Sequence, residues 1–457
     1  MHIHILGICG TFMGGIAQLA KSLGHQVTGS DANVYPPMST QLTAAGIDIY
    51  EGYDPIHLDP TPDQVVVGNA MTRGNPAIEY ILNNNLRYTS GPQWLAENLL
   101  HNRWVLAVAG THGKTSTSAM LAWILDYAGV NPGFLIGGVP ANFGVSARLG
   151  DGKFFVVEAD EYDTAFFDKR SKFIHYHPKT LIINNLEMDH ADIFDNLAQI
   201  QKQFHHLVRT VPAMGRIVYP IDDIAIKTVL DQGCWTPTQT IDTNTIAANW
   251  HIKDVNQDSS VFTILHNATS VAQIQWNLTG RHNLANALAA ISAAHHIGIT
   301  PDTAAAALNT FQGVKRRMEL RGIIKDITIY DDFAHHPTAI RTTVEGLRAK
   351  IADKRIFAVL EPRSNTMRLG IHREQLASSL QAADFIYVYS PPNLSWDAAA
   401  ALSELGQRLI VKTHTSDIIQ DLVNTVRPQD CILIMSNGGF ENIHQRLLEA
   451  LQNKYPE

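Results

Sequence analysis

Cysteine is scarce in this chain: Cys9, Cys234 and Cys431 lie far apart in 457 residues and form no C-x-x-C pair. That pattern excludes a disulfide framework or a cysteine-built zinc site and fits a reducing compartment. Long apolar runs are missing as well. None approaches the ~18 residues that would cross a bilayer, so no membrane partner is expected. There is no excess of basic charge either. Lys and Arg number 35 against 43 Asp and Glu, a net charge of -8, which argues against a nucleic-acid partner. The N-terminus enters an apolar strand at once, from His2 to Ile8, leaving no room for a signal peptide, so the expected compartment is the cytoplasm. Internal repeats, low-complexity tracts and long linkers are absent. What remains is a chain of 45% hydrophobic and 17% charged residues, able to bury real cores. At about 150 residues per domain its length corresponds to about three domains. Nothing in these numbers sets the oligomeric state.

The most informative stretch is Val105-Leu106-Ala107-Val108-Ala109-Gly110-Thr111-His112-Gly113-Lys114-Thr115-Ser116. A short apolar run predicts a buried strand, and Gly110 and Gly113 break it. Lys114-Thr115 then open a segment with Leu121, Ile124, Leu125 and Ala128 at helical spacing, ended by Gly129. Strand, glycine loop and helix N-terminus make an anion site. Loop N–H groups and the helix dipole point at phosphate, and Lys114 adds a full charge. The Thr115 hydroxyl is placed to ligate Mg2+. The form is shortened to G-x-x-G-K-T, because Val108 stands where a standard P-loop has its first glycine. The alternative is an ordinary strand-to-helix turn that happens to hold a Lys, and the strand–helix context weighs against it.

Residues 1–103 read as a first nucleotide-type domain. Ile3 to Gly7 is a strand, Gly7 to Gly15 a turn into a helix that Gly24 ends, and Gln26 to Asp31 a second strand with an acid at its tip. A dinucleotide fold reads G-x-G-x-x-G with an acid ~20 residues on. The acid fits, but Cys9 and Phe12 occupy the second and third glycine positions. An NAD site is therefore disfavoured. A diphosphate on the same backbone geometry, or a βαβ unit with no ligand, remains. Gly68 to Pro76, with Asn69 and Asn75, and Ser90 to Trp94 follow later strands, at the ends where open α/β sheets bind ligands.

Residues 104–315 carry the loop. Phe154 to Glu158 predicts a buried strand ending in Glu158-Ala159-Asp160-Glu161-Tyr162-Asp163, whose four acids suit a divalent metal beside phosphate. A solvated acidic loop is the alternative. Leu181 to Asn185 is another strand, followed by Leu186-Glu187-Met188-Asp189-His190, which puts His190 on the phosphate face. Thr240 to Gln275 alternates apolar residues with Asn, Asp and Thr, as strands do. Gly280-Arg281-His282-Asn283-Leu284-Ala285-Asn286 starts an Ala-rich helix; Asn283 is a candidate N-cap, and Asn286 shares a face with it that could read a base edge. Phe311 to Met318 is a basic hinge into residues 316–457. There strands at Ile327–Tyr330, Ile356–Leu360, Phe385–Tyr389, Leu409–Val411 and Cys431–Met435 alternate with amphipathic stretches, a second open α/β sheet.

Taken in order, these words resemble the Mur ligase family, the ATP-dependent amide-forming enzymes of the peptidoglycan pathway, over nearly the whole chain. Gly110-Thr111-His112-Gly113-Lys114-Thr115 resembles the family's nucleotide loop. Glu158-Ala159-Asp160-Glu161, Asn185 with Asp189-His190, Asn283 with Asn286, Arg317 and Asp332 match its scattered motif. The resemblance implies an α/β protein of three domains: a Rossmann-like UDP-sugar-binding N-terminal domain, a P-loop ATPase-type central domain and a Rossmann-like C-terminal domain for the amine. It implies that Gly110, Thr111, His112, Gly113, Lys114, Thr115 and Ser116 hold the ATP phosphates and that Asn283 and Asn286 face adenine. Arg317 reaches the phosphates and Asp332 the ribose, both from across the hinge. Thr115 and Glu158 hold one Mg2+, and His190 with Glu158 a second. Lys114, Glu158, His190 and Arg317 are the implied catalytic residues. Gly7, Gly10, Met13, Gly14, Asp31, Asn69 and Asn75 lie on the implied UDP-sugar site.

Some members carry a carbamylated Lys fifteen residues after the metal His; here His205 stands there, with Lys202 close by, so the carbamate is in doubt. The Gly7–Met13 turn, Gly29-Ser30-Asp31 and Asp332 to Pro337 resemble the branch that adds L-alanine to UDP-N-acetylmuramate. Asn69 to Pro76, Ser90 to Leu95 and Glu361 to Met367 differ from it and resemble the branch that takes the recovered tripeptide L-Ala-γ-D-Glu-meso-diaminopimelate. Arg363, Ser364, Asn365 and Thr366 are then the candidates for the tripeptide carboxylates, Arg363 because guanidinium pairs bidentately with such groups. The rival readings are the alanine-adding ligase and a non-catalytic nucleotide-binding protein of the same fold.

Overall fold

The computed structural model describes residues 1–34 and 38–456. Its first sheet has five parallel strands, β1 (His2–Leu6), β2 (Gln26–Asp31), β3 (Asp48–Glu51), β4 (Gln64–Val67) and β5 (Tyr88–Ser90), in the order β3-β2-β1-β4-β5. That is the doubly wound order, reversing direction at β1. The helix Thr11–Ser22 follows β1 and ends at Gly24, as its sequence predicts.

The second sheet has ten strands. Its parallel part is built from β6 (Trp104–Ala109), β7 (Gly133–Leu135), β9 (Phe154–Glu158), β12 (Thr180–Ile183), β13 (Arg216–Pro220), β14 (Thr238–Asp242) and β15 (Trp250–Lys253). Its antiparallel margins are β8 (Ala147–Arg148) on one side and β16 (Val261–His266) and β17 (Thr269–Gln275) on the other. The two strands between β9 and β12, β10 (Asp163–Ala165) and β11 (Asp168–Ser171), form a separate hairpin. The order is β17-β16-β15-β14-β13-β12-β6-β9-β7-β8. The helices Lys114–Tyr127 and Arg281–His296 pack together on one face.

The third sheet contains β18 (Glu319–Ile324), β19 (Ile327–Asp332), β20 (Ile356–Leu360), β21 (Phe385–Tyr389), β22 (Leu409–Lys412) and β23 (Cys431–Met435), in the order β18-β19-β23-β20-β21-β22. Five of these strands match the predicted positions. β18 does not, because it is an edge strand with Leu320 and Ile323 exposed, so no clean apolar alternation marks it.

One apolar cluster runs from Ile3, Ile16 and Trp94 of the first unit to Val105, Leu135 and Phe155 of the second, so the first two sheets share a core. The contact is close: a Cβ on Gly15 would lie 2.3 Å from Leu135 Cδ1, so any larger residue in the Thr11–Ser22 helix at this point would force Leu135 of β7 to shift. The third unit packs on clusters of its own. Among the described residues no helix is long and apolar enough to cross a membrane.

Candidate active site

Three adjacent parallel strands build the centre of the site. β6 lies between β12 and β9, the reversal point at which an open α/β sheet leaves a crevice beyond its strand ends. Val108 of β6 is level with Glu158 of β9, and Ala109 with Ile183 of β12. The glycine loop 110–113, Glu158 and the 184–190 segment therefore emerge side by side. The His112 N–H donates to Asn185 Oδ1 at 2.7 Å, and Asn184 Nδ2 donates to the Thr117 hydroxyl at 2.9 Å, which fixes the loop. No side chain caps the helix Lys114–Tyr127. Its first-turn N–H groups have no partner within the helix and stay open to an anion.

Glu158 accepts the Thr115 hydroxyl proton at 3.0 Å and the Gly137 N–H at 2.7 Å, and burial pushes its carboxyl up from the ordinary range. Lys114 Nζ donates to Glu161 Oε2 and to the Gly110 carbonyl, both at 2.7 Å. Lys172 Nζ donates to Asp160 Oδ2 at 3.1 Å. Burial by itself would raise Asp160, but Lys172 and then Lys114 hold it below its usual value. Burial likewise opposes the charge on Lys114, and Glu161 and Asp160 outweigh it. His190 Nε2 lies 3.0 Å from Glu161 Oε1; burial disfavours its protonation, and that bond together with the charges of Glu161, Asp189 and Asp160 outweighs it and raises its pKa. One ligand atom from each of Asp160, Glu161 and His190 lies within 4.8 Å of the other two. A buried carboxylate beside a hydroxyl, next to this oxygen-rich group, is a donor set that fits a hard divalent cation.

His190, expected to share a cation with Glu158, hydrogen-bonds the fully buried Glu161, while Glu158 turns to Thr115 and Gly137. Asp163, the fourth acid, leaves the cluster and pairs with Lys169 in the hairpin.

The chain enters the third unit through Arg316, Arg317 and Met318, the first and last with positive φ. Arg317 Nη2 donates to Thr115 Oγ1 at 3.3 Å, and its guanidinium stacks over Phe333 at 4.8 Å. Asp332 accepts the N–H groups of Met318 and Ala334, each at 2.8 Å, and so pins the hinge. Burial raises its carboxyl, with Arg317 opposing. Arg317 and Asp332 line a cavity of about 370 Å³ together with His112, Ser116, Asn283 and Asn286. Asn283 is not the helix cap. Gly280, at φ +88°, holds that position, and Asn283 Nδ2 reaches back to the Thr279 carbonyl at 2.9 Å. A second cavity of about 370 Å³ holds Lys114, Thr115, Glu158, Asp160, Lys172 and His190. Thr11 and Phe12 come to it from the end of β1, and Phe333, Ser364, Asn365, Thr366 and Asn437 from the ends of β19, β20 and β23. All three sheets thus direct the C-terminal ends of their strands at one place.

The same three parts occur in one family. Residues 2–103, 108–294 and 316–438 match, in turn, the models described as Mur ligase family, catalytic domain; Mur ligase middle domain; and Mur ligase, glutamate ligase domain. The chain belongs to the Mur ligase family. The UDP-N-acetylmuramate--L-alanyl-gamma-D-glutamyl-meso-2,6-diaminoheptandioate ligase of Escherichia coli (strain K12) is 55% identical to this Mur ligase over 459 residues, 99% of each chain. A UDP-N-acetylmuramate--L-alanine ligase of Desulforapulum autotrophicum is 30% identical over 463 residues, 98% of each. A crystal structure of a murein peptide ligase from Psychrobacter arcticus 273-4 superimposes with a TM-score of 0.78, at 51% identity over 99% of each chain.

Other expected residues of this Mur ligase have structural duties as well. Asp31 accepts the Cys9 N–H at 2.9 Å and the Asn33 N–H at 3.0 Å, bracing the Gly7–Gly10 turn from the end of β2. Gly7 has φ +78°, and Gly10 is the cap residue of the following helix. Met13 and Gly14 are buried, Gly14 against Met38. Asn75 caps the helix Pro76–Asn83, and Asn69 is half-buried just past β4. Ser364 caps the helix Asn365–Arg368 and Thr366 donates to Asp189 at 3.3 Å, whereas Arg363 is exposed, does not line the cavity and lies against Gly438. His205 stacks on Trp235, and Lys202 is exposed.

Lys172 is the residue that the sequence motifs do not mark. It sits in the charged run Asp168-Lys169-Arg170-Ser171-Lys172, where Lys169 and Arg170 face solvent, and only the fold of the β10–β11 hairpin turns Lys172 inward. There its ammonium lies over Phe12 at 5.5 Å and over Tyr162 at 5.7 Å.

Proposed function

We propose that this protein is an ATP-dependent ligase that joins the lactyl carboxylate of UDP-N-acetylmuramate to the amine of L-Ala-γ-D-Glu-meso-diaminopimelate, in the recycling of peptidoglycan in the cytoplasm. The observation that carries this reading is the 55% identity over 99% of both chains to a relative named for that tripeptide, against 30% for one named for L-alanine. The test is phosphate release from ATP at fixed UDP-N-acetylmuramate, with tripeptide and with L-alanine. Faster turnover with tripeptide is expected; faster turnover with L-alanine would move the chain to the other branch.

In this reading residues 1–103 bind the UDP-sugar, 104–315 ATP and 316–457 the amine. A carboxylate and an amine do not condense in neutral water, so the carboxylate oxygen first attacks the γ-phosphorus and ADP leaves. The amine nitrogen then attacks the acyl carbon, phosphate departs, and the amine gives up its proton to solvent. Two anions must meet in the first step, so the task of the protein is alignment and charge neutralisation. Lys114 and the first-turn N–H groups hold the β- and γ-phosphates, Arg317 approaches them from the hinge, and Asn283 and Asn286 face the base with Asp332 at the ribose. A divalent cation of the magnesium class would be held by Thr115 and Glu158 and by His190 with Asp160 and Glu161, and would supply further charge neutralisation. Lys172, between Phe12 and Asp160, is positioned to receive the lactyl carboxylate. The acyl phosphate must be kept from water, and the hydrogen bonds of Thr366 to Asp189 and of Asn365 to Asp192 at 2.9 Å hold the third unit against this side of the site.

Two substitutions check these assignments. Lys172→Met should lower kcat by on the order of 10²-fold, as the loss of a preorganised charge does, with little change in KM for ATP. Lys172 lines the second cavity and not the first. A rise in that KM with kcat intact would move Lys172 to the nucleotide. Arg363→Ala should raise the tripeptide KM far more than that for ATP. From the rim beside Gly438 and Asn437 its long side chain can meet a peptide carboxylate. Equal effects on both constants would remove it from that role.

A further inference from the structure

A second cluster of ligating side chains lies at the edge of the first cavity, and the steps described above do not use it. His112, in the nucleotide loop, points Nε2 at Glu187 Oε2 across 3.6 Å, and His336 of the third unit points Nδ1 at the same oxygen across 3.8 Å. The two imidazoles are 4.5 Å apart between centroids, and the three ligand atoms lie within 4.8 Å of one another. His336 is only 3% exposed. His112 Nε2, one of the three ligand atoms, is buried without a hydrogen-bond partner. Such an atom ordinarily finds one.

We infer that His112, Glu187 and His336 form a binding site for a borderline divalent transition metal, of the Zn2+ class, that staples the third unit to the nucleotide loop. Two imidazoles and one carboxylate are the donors such ions prefer, whereas magnesium-class ions prefer oxygen. Metal–ligand bonds of about 2.1 Å in a tetrahedron place ligand atoms about 3.4 Å apart, so each nitrogen moves a few tenths of an ångström toward Glu187 and the two nitrogens close on each other from within 4.8 Å. Two weak or replaceable bonds would yield: the Thr338 N–H to His336 Nδ1, at 3.3 Å, and the Thr338 hydroxyl to Glu187, at 2.7 Å. His112, Glu187 and Thr338 line the nucleotide cavity, so the fourth position of the metal opens toward it for water or a phosphate oxygen. Because the ligands come from both sides of the hinge, binding holds the two units together and slows their separation. The inference does not depend on which amine the enzyme uses.

The test is titration of the full chain with Zn2+ alone, followed by calorimetry, and with Co2+ followed by its visible absorption. His336→Asn is the principal variant, since Asn keeps a helix-cap acceptor at this position. His190→Asn serves as the control for the Asp160–Glu161–His190 cluster, which also attracts Zn2+. The wild type should bind metal at both places. His336→Asn should weaken one of them by roughly tenfold or more and lose the absorption of four-coordinate Co2+, which His190→Asn should keep. Zn2+ should also compact the wild type in small-angle scattering but not His336→Asn. Should His336→Asn fail to fold, judged by circular dichroism, Glu187→Gln replaces it with the same expectation. Zn2+ affinity, stoichiometry and Co2+ absorption unchanged from wild type in the folded variant would overturn the assignment.

Discussion

Lys114→Ala should lower kcat by ~10²–10³-fold, the loss seen when one preorganised charge that stabilises a transition state is removed. The Lys114 ammonium is held at 2.7 Å from the Gly110 carbonyl and from Glu161, so it is fixed before any nucleotide arrives and needs little reorganisation during reaction. The variant also leaves buried acids short of a cation. Removing one partner of a buried ion pair costs about 3–5 kcal/mol when the other stays charged and alone. Glu161 is not alone, since it keeps His190 at 3.0 Å. The loss of stability should therefore fall below that range. Phosphate release and thermal unfolding separate the two effects. A kcat near that of the wild type would take Lys114 out of phosphate handling.

Gly110→Ala should be nearly as damaging, for a different reason. Gly110 has φ +126°, a conformation L residues avoid, and a Cβ there would lie 2.9 Å from the Asn185 carbonyl oxygen and 3.0 Å from the Asn184 N. These are backbone atoms, which cannot swing aside as a side chain can. Strain in a sparsely populated backbone region costs about 1–3 kcal/mol, and Asn185, whose side chain receives the His112 N–H, must move as well. ATP binding should weaken severely and the melting temperature fall, by ~2–4 °C per kcal/mol for a domain of 150–250 residues. Gly24→Ala is the control: its φ is +88°, but nothing lies within 4 Å of the added Cβ. It should cost some stability and leave the ATP KM unchanged. Equal ATP KM values in Gly110→Ala and the wild type would show that the loop tolerates the displacement.

Much of the framework was legible because local rules set it. The apolar run 105–109, the two glycines and the helical spacing after Lys114 predict strand, loop and helix, and β6 and the Lys114–Tyr127 helix stand there. The third sheet was legible from alternating apolar runs, except for β18, whose exposed apolar residues break the pattern. The pairing of Thr115 with Glu158 was implied by the resemblance alone; in the structure the register of β6 and β9 brings the two strand ends level. The turn 280–283 misled by one local rule: Asn is a good cap, but the positive φ of Gly280 had already started the helix.

The sequence by itself determined the three α/β units, the glycine loop between strand and helix and the acids at a strand end, because turn chemistry and hydrophobic period act over a few residues and need no partner. Tertiary structure alone decided that His190 meets Glu161 and not Glu158, that Lys172 turns inward onto Asp160 and Phe12, that Arg363 stays at the rim, and that His336 reaches His112 across the hinge. These contacts join residues tens to hundreds of positions apart, and they exist only because three sheets pack with their strand ends facing one another.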